Sequence, residues 1–455
     1  MSTFVRIEGR FRALTVAGGR INEDAVQDVV VQLVRDATYG TFADLPQRLK
    51  DRMTGPEESF ARGTTLEREG ESDFFKFVME FSESLFPIER GGVQHLVGVL
   101  AGDLFSLTSD KYKIDSLGVN SVSFPALDGI LLRKATENRI KSIRAAFRLG
   151  RYEALLAFSI KPRVGLAAAE LREVVTSVLD KGFHIAELDT RSIVRSSAHL
   201  HELVQIVRVA ENARRGHVAR FSVNVTAPAH LVREYATAVA QGAAAPVVLK
   251  VDGGLDGFSG CQTVRETLPD AFITCYPLLR EFFSAETNRR LQPEFFNDAL
   301  VASGADILYP GGRPNVPGRG GRQLGAGDRD AIIRGVRRYR AIVTRGAYMP
   351  TVAGGIHVGQ LHAYYTLLGP DVAYFLGGAV ALHKDGPAAG AHLCKRVLSR
   401  AAELQESAGM TVPKNLEPKL IREVEESSGD VQAPYLSPQS VVANLPAMTL
   451  WFQEP

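Results

Sequence analysis

The residues best suited to chemistry stand directly after short apolar segments of the chain. Lys161 and Arg163 follow the apolar segment Ala154–Ile160. A lysine that is partly removed from water beside other cations has a lowered pKa, so Lys161 could serve as a general base. The commoner fate of such a residue is a solvated loop lysine, and this alternative stays open.

Two carboxylates, Glu187 and Asp189, follow the next apolar segment, Phe183–Ala186. Alternation along a strand places both on one face, from which they could hold a divalent cation such as Mg²⁺. Solvated loops supply the same residue types, so the spacing alone does not decide between a metal site and a loop.

Two glycine pairs close the last two apolar segments before residue 400. They are Gly354-Gly355, with His357 two residues further on, and Gly377-Gly378. Paired glycines let backbone N–H groups approach an anion closely, whereas a single pair is equally typical of a tight turn. Two pairs in corresponding positions predict a phosphate-binding site.

A long segment, residues 311–322, is rich in glycine, proline and arginine. Long loops in compact domains often act as lids, and Arg313 could close over an anion. A disordered basic loop has the same composition, so both interpretations are kept.

These candidates need a scaffold that gathers strand ends. Eight apolar segments alternate with helical patterns: Ala154–Ile160, Phe183–Ala186, Val218–Val225, Val247–Val251, Phe272–Cys275, Asp306–Tyr309, Met349–Val352 and Val372–Leu376. This rhythm is typical of a (β/α)₈ TIM barrel, whose chemistry occupies the carboxyl ends of the strands. A doubly wound sheet would place a glycine-rich turn after the first strand, where this chain has Lys161-Pro162-Arg163.

The preceding residues predict a separate domain. Phe4–Phe11 alternates like a strand with one buried face, and Glu23–Arg35 has helical spacing. We therefore expect an α/β protein with an N-terminal α+β (ferredoxin-like) domain over residues 1–140. The barrel follows over residues 141–400, and a helical and irregular tail over residues 401–455.

Composition excludes several classes of partner. Among 455 residues, 53 Lys and Arg stand against 51 Asp and Glu, a net charge of +2. This balance argues against nucleic-acid binding and gives no polybasic attraction to a membrane. Three cysteines without a CxxC pair and an N-terminus without an apolar signal core predict a cytoplasmic protein with reduced thiols.

Together these segments resemble the large chain of ribulose-bisphosphate carboxylase/oxygenase (RuBisCO), over essentially the whole chain. Thr38–Phe42, which contains Thr41, is similar to the N-terminal element that reaches across a dimer to a phosphate. Ile160–Leu166 is similar to the strand-1 motif Lys-Pro-Lys-x-Gly-Leu, and both glycine pairs match the motifs of strands 7 and 8.

The departures from the family pattern concern activation. The family's Lys-Asp-Asp-Glu element carries a carbamylated lysine that binds magnesium, and here it reads Glu187-Leu188-Asp189-Thr190. The resemblance therefore implies no carbamylated lysine and a weakened Mg²⁺ site on Glu187 and Asp189, with metal-free chemistry as the alternative.

The substrate-binding residues depart as well. Tyr276-Pro277 replaces the strand-5 His-Arg pair, and Leu308 replaces a phosphate-binding histidine on strand 6. Arg313 is the nearest counterpart of the loop-6 lysine, and Asp103 stands for an N-terminal asparagine of the active site. One phosphate site is thus retained and the other is lost.

The resemblance implies a non-carboxylating RuBisCO-like protein of the form IV group. We expect an isomerase or lyase that forms an enolate from a small phosphorylated sugar or keto-acid, and that works as a homodimer or an assembly of dimers. Lys161, Arg163 and Glu187 would be catalytic. Substrate or phosphate would be bound by Thr41, Asp103, Arg313, Gly354, Gly355, His357, Gly377 and Gly378. A non-phosphorylated carboxylate substrate, or a non-catalytic binding role, is the alternative.

Overall fold

The computed structural model describes residues 3–15, 18, 21, 23–39, 47, 61–69, 73–88, 92–100, 112–163, 165–189, 192–212, 216–254, 256–277, 289–314, 326–409, 412–427 and 435–443. The chain forms two compact units. One contains Met1–Leu132 with Gly257–Ser259 and Pro277–Ser303, and the other contains the remaining residues.

The described strands form two sheets, an open sheet and a closed barrel. In chain order they are β1 (Phe4–Thr15), β2 (Ala61–Arg68), β3 (Phe75–Ser82), β4 (Tyr112–Ser123), β5 (Leu155–Ser159), β6 (Ile185–Glu187), β7 (Arg220–Asn224), β8 (Val248–Val251), β9 (Phe272–Cys275), β10 (Arg289–Leu291), β11 (Ile307–Leu308), β12 (Met349–Ala353) and β13 (Ala373–Leu376).

Helices connect and cover these strands. Their described bounds are Glu23–Tyr39, Gly92–Gly98, Pro125–Thr136, Arg139–Ala146, Ala168–Asp180, Ser197–Asn212, Ala229–Gly242, Gly257–Thr267, Pro293–Ala302, Ala326–Arg345, Leu361–Leu368, Gly378–Ala381, Pro387–Ala408, Pro418–Glu425 and Pro438–Ala443. Across the described ranges, every helix is too short or too polar to cross a membrane.

The first unit is a five-stranded sheet in the order β10-β4-β1-β3-β2. Strand β1 pairs antiparallel with β3 and β4, and its alternate residues are buried, as the sequence pattern predicts. Phe11 packs on Phe77 with ring centroids 5.9 Å apart. Gly63 on β2 lets the helix Glu23–Tyr39 approach, because a Cβ there would lie only 2.7 Å from Val30.

The second unit contains a closed barrel in the order β11-β12-β13-β5-β6-β7-β8-β9. The pairings between its strands are parallel, and every observed strand begins and ends within two residues of a predicted apolar segment. The predicted architecture, an α+β unit followed by a (β/α)₈ barrel, is confirmed.

The amino end of the barrel is filled by apolar side chains. Ile140, Ile143 and Phe147, in and just after the helix Arg139–Ala146, pack against the first inward residues of the barrel strands. These inward residues are Leu155, Ile185, Val248, Phe272, Ile307, Met349 and Ala373. The helix Arg139–Ala146 and Phe147 thus supply an apolar plug that closes this end of the barrel.

A buried carboxylate joins the plug to the strands. Asp306 accepts a hydrogen bond from Arg139 Nε at 2.8 Å, and it also contacts Lys134 and Arg265. Burial alone would raise the pKa of Asp306, but the charges of these three cations outweigh burial and lower it. Asp306 is therefore an ionised anchor, because a buried charge is tolerated only when it is paired.

We predict that Asp306→Asn lowers the free energy of unfolding by about 3–5 kcal/mol, since it leaves three partly buried cations without their buried counterion. The folded-state pKa of Asp306 is lowered, so its stabilisation is present above the unfolded pKa of about 4 and is lost as the pH falls below it. Urea unfolding at pH 7 and at acidic pH measures both effects.

The matched control is Asp371→Asn, because Asp371 is 40% exposed and pairs with Arg144 at 3.2 Å. An exposed pair contributes about 0–1 kcal/mol, so this variant should unfold almost like the unmodified protein. Equal losses in the two variants would show that Asp306 is not an anchor.

Candidate active site at the barrel mouth

Lys161, Arg163 and Asp189 meet where β5 and β6 end. The two strands are parallel neighbours, with Ser159 opposite Glu187, so the residues that follow them lie side by side. Lys161 Nζ donates a hydrogen bond to Asp189 Oδ2, and Arg163 Nε lies 3.0 Å from Asp189 Oδ1. One carboxylate therefore holds the amine and the guanidinium together.

This group of three has a buried centre and accessible ends. The side chain of Asp189 is 8% exposed, against 29% for Lys161 and 44% for Arg163. Burial would raise the pKa of Asp189, but the hydrogen bond from Lys161 and the charges of Lys161 and Arg163 lower it overall. The carboxylate is thus ionised, while its two cations are accessible to solvent.

A second lysine–carboxylate pair lies inside the barrel. Lys250 Nζ donates to Glu187 Oε1 at 3.1 Å, and Thr274 Oγ1 donates to Glu187 Oε2. The side chains of Glu187 and Lys250 are 4% and 6% exposed. Burial would lower the pKa of Lys250, but the charges of Glu187 and Asp252 raise it well above its ordinary value. Lys250 is therefore a permanent ammonium group.

Asn224 connects this interior pair to the mouth. Its Nδ2 donates to the backbone carbonyl of Asp189 at 3.2 Å and to Asp252 Oδ2 at 3.1 Å. Thr226 Oγ1 donates to Asn224 Oδ1 at 2.6 Å, which fixes the orientation of the amide. Asp252 Oδ1 lies 3.7 Å from Lys250 Nζ. The result is a continuous polar network across the ends of β6, β7 and β8.

Asp256 is a second carboxyl group beyond the end of β8. Burial raises the pKa of Asp256 to about 6, although the N–H of Ala227, which donates to Oδ2 at 3.1 Å, acts in the opposite direction. A carboxyl group that titrates near neutral pH at a barrel mouth is suited to proton transfer.

The glycine pairs lie at the ends of β12 and β13. Gly354 and Gly355 adopt φ values of +79° and +61°, which explains the choice of glycine. Arg313 Nη1 donates to the carbonyls of Ala353, at 3.1 Å, and Gly354. Arg313 and the first glycine pair thus form a second group of predicted residues, which could present donors to an anion.

Gly377 contacts the first group. A Cβ at this position would lie 3.3 Å from Lys161 Cε and 3.4 Å from the carbonyl of Ser159, so glycine leaves room for the lysine. His357 donates its backbone N–H to Gln360 Oε1 at 3.1 Å and begins the 3₁₀ turn Val358–Gln360. Thr41 and Asp103 lie outside the described residues, and their predicted roles stay predictions.

The carboxylates that were candidates for Mg²⁺ already have other partners. Glu187 accepts from Lys250 and Thr274, and Asp189 accepts from Lys161, Arg163 and Ser159. Within the part of the chain that is described, no cluster of three or more His, Cys, Asp or Glu side chains could hold a metal ion. The observed donor set does not fit a divalent cation.

Sequence reasoning missed the interior network of Lys250, Asp252, Asn224 and Thr226. A signal for Lys250 was available, because this lysine interrupts the apolar segment Val247–Val251. Lysine is almost never fully buried unless it is paired, so a lysine inside a barrel strand indicates a buried carboxylate nearby. The identity of that carboxylate depends on the strand order.

Comparisons with known proteins agree with this fold. No family model matches the chain. Ribulose bisphosphate carboxylase of Pyrococcus abyssi is 23% identical over 380 residues, which are 82% of this chain and 83% of that protein. The ribulose bisphosphate carboxylase large chain of Cupriavidus taiwanensis is 24% identical over 373 residues, covering 79% and 74% of the two chains.

Two solved structures are similar over almost the whole chain. A dimeric archaeal Rubisco from Hyperthermus butylicus has a TM-score of 0.67 at 19% identity and covers 93% of this chain and 94% of its own. A rubisco-like protein from Burkholderia fungorum has a TM-score of 0.64 at 17% identity and covers 93% and 98%. The chain is thus similar in sequence to ribulose bisphosphate carboxylases, as the sequence motifs predict, and it shares the fold of the solved structures.

We predict that Asp256→Asn stabilises the protein above pH 6 by about 1–2 kcal/mol, discounted for partial solvation. The folded pKa of Asp256 is raised to about 6, so stability falls as the pH rises from about 4 to 6 and stays lower above it. Asparagine keeps an acceptor for Ala227 and removes the charge.

Urea unfolding at pH 7.5 and pH 4.5 tests this prediction, and the gain should vanish at the lower pH. The control is Asp270→Asn, because Asp270 is exposed and its replacement should change stability by less than about 0.5 kcal/mol. A pH-independent effect of Asp256→Asn would assign it to packing.

Proposed function

We propose that the chain is a non-carboxylating RuBisCO-like enzyme that forms an enolate from a small anionic carbonyl compound, a phosphorylated sugar or a keto-acid. The observation that carries the proposal is the pairing of Lys161 and Arg163 on one buried carboxylate at the barrel mouth. This pairing supports the proposal, because it holds an amine and a guanidinium side by side where a molecule from solvent could reach both.

Removal of a proton next to a carbonyl needs a base and a group that stabilises the developing oxyanion. In this proposal Lys161 accepts the proton and Arg163 donates hydrogen bonds to the oxyanion. Lys161 acts as the base in its neutral amine form, and its hydrogen bond to Asp189 holds the amine in place at the mouth.

Substrate charge is assigned to the second group of residues. We propose that the backbone around Gly354 and Gly355, with Arg313 beside it, binds a phosphate or carboxylate, while Gly377 keeps Lys161 in reach of the carbonyl end. The opposite side of the mouth is less suited to an anion, because Leu308 is buried and Tyr276 stacks on Tyr309 with ring centroids 5.4 Å apart. One anionic group therefore fits better than two.

The absence of carboxylase activity is proposed from strand β6. Glu187 occupies the position where the family resemblance implies a carbamylated lysine, and its two oxygens are held by Lys250 and Thr274. A glutamate has no amine and cannot form a carbamate with CO₂, and its carboxylate is already held by two partners in the interior.

We predict that Lys161→Met lowers solvent-deuterium exchange at the carbon next to the substrate carbonyl by about 10²–10⁴-fold, the usual contribution of a general base. Nuclear magnetic resonance in D₂O, with a panel of ketose phosphates and 2-keto acids, identifies the exchanging substrate and measures the rate. Ribulose 1,5-bisphosphate should give no carboxylated product.

The control is Lys395→Met, because Lys395 also pairs with a carboxylate, Glu153, and is 26% exposed. It lies outside the proposed site, so exchange should be unchanged. Exchange at the normal rate in Lys161→Met would assign the base to another residue, with Asp256 the first to test. Carboxylation by the unmodified protein would refute the proposal.

We also propose a homodimer, because the predicted contribution of Thr41 and Asp103 is to the site of a second subunit. The similar Hyperthermus butylicus protein is described as dimeric, which supports the proposal. We predict a mass of about 99 kDa, twice 49.5 kDa, by light scattering. A stable 49.5 kDa species at micromolar concentration would contradict it.

A further inference from the structure

We infer that Lys250 is the fixed cation of the polar network inside the barrel: its ammonium group balances the charges of Glu187 and Asp252 as a divalent cation would, and it excludes such an ion from this network. The inference rests on the site of the proposed function and concerns how that site is charged. Lys250 acts through Glu187 and is therefore a positioning residue.

The contacts of Lys250 are those of a fixed counterion. Its Nζ lies 3.1 Å from Glu187 Oε1 and 3.7 Å from Asp252 Oδ1, and it is deeply buried. On β8, Lys250 is registered between Asn224 of β7 and Thr274 of β9. Each neighbour bonds to one of the two carboxylates that Lys250 contacts: Asn224 donates to Asp252, and Thr274 donates to Glu187.

Among the described residues, each carboxylate of this network has a cationic partner. Glu187, Asp189 and Asp252 lie against the cationic side chains of Lys161, Arg163 and Lys250. A divalent cation would add two positive charges to carboxylates that are already paired in a poorly hydrated interior. Such an excess is strongly unfavourable, because a buried charge must be paired.

Distance makes the exclusion direct. Magnesium binds carboxylate oxygen at about 2.1 Å, so an ion on Glu187 Oε1 could be no farther than about 5 Å from the ammonium group. Glu187 Oε2 accepts from Thr274, and a metal ion there would displace this hydrogen bond. Lys250 cannot swing away to solvent, because its side chain projects into the barrel interior.

In the proposed reaction, protein side chains therefore take the place of a metal ion as the electrophile. With no ion on Glu187, Arg163 is the cation that faces the substrate, and Lys161 becomes a second cation as it accepts the proton. Both then supply positive charge near the developing oxyanion. Glu187 and Lys250 form an ion pair without net charge in the barrel interior below these two residues. Chelators should therefore leave the reaction unaffected.

The test is Mn²⁺ binding followed by electron paramagnetic resonance, which needs no substrate. The unmodified protein should bind no stoichiometric Mn²⁺ below about 100 µM, with or without bicarbonate. Lys250→Met removes the cation beside Glu187 and Asp252 and should bind Mn²⁺ at least about tenfold more tightly, because affinity rises with the negative charge of the ligands. Adding Glu187→Gln to this variant should remove the gain.

The matched control is Lys134→Met. Lys134 also pairs with a buried carboxylate, but Asp306 keeps Arg139 and Arg265, so this variant should gain no Mn²⁺. Circular dichroism establishes which variants are folded. If Lys250→Met does not fold, the unmodified protein and Glu187→Gln decide the question.

Two results would overturn the inference. One is a single Mn²⁺ bound per unmodified chain below about 100 µM and lost in Glu187→Gln. The other is a folded Lys250→Met protein without any gain in affinity. Binding that appears only with bicarbonate counts as the first result, since it would indicate a carbamylated lysine. Deuterium exchange measured separately would still report on the proposed activity.

Discussion

The charge of Glu187 inside a closed barrel is the constraint on which the site depends. Closing eight parallel strands turns alternate side chains inward, and β6 turns Glu187 into an interior from which water is excluded. An isolated carboxylate there would be prohibitively unfavourable. Lys250, two strands away, satisfies it, and Asn224, Thr226 and Asp252 extend the network to the mouth.

The two ends of the barrel differ in the side chains that fill them: the amino end is apolar and stabilises the fold, and the carboxyl end carries the polar residues of the candidate site. Apolar inward residues and the helix Arg139–Ala146 fill the amino end, where Asp306 ties three cations to the strands. Polar inward residues occupy the carboxyl end. The charge clusters around Asp306 and Asp189 differ in their access to solvent. Asp306 is enclosed, whereas the two cations paired with Asp189, Lys161 and Arg163, are exposed to solvent. Of these two clusters, the second is the one open to a small molecule from solvent.

Much of this could be predicted from the sequence, because the determining signals are local. Apolar segments of four to eight residues gave the strands, and the position of Lys161 just after one of them placed it at the mouth. Alternation also placed Glu187 on an inward face. Each of these inferences needs only the residues within one element.

What could not be predicted depends on which strands become neighbours. The partner of Glu187 lies 63 positions away on β8, and the segment Arg289–Ser303 leaves the barrel sequence to join the first sheet beside β4. Alternation assigns a face but no partner, so Glu187 and Asp189 were equally suited to a metal and to lysines. The pairing with Lys250 and Lys161 required the closed order of the strands.

These pairings decide which strand supplies the negative charge of the site and which supplies the positive charge. The family resemblance implies a lysine on strand β6 that becomes anionic by carbamylation and then needs a metal ion. Here the anion is a glutamate from the start, and its cation is a lysine from strand β8. Neither charge is stable in the interior alone, since removing one partner of a buried pair costs about 3–5 kcal/mol. Glu187 and Lys250 therefore depend on each other. A chain that has Glu187 at this position and binds no metal ion there must also have Lys250.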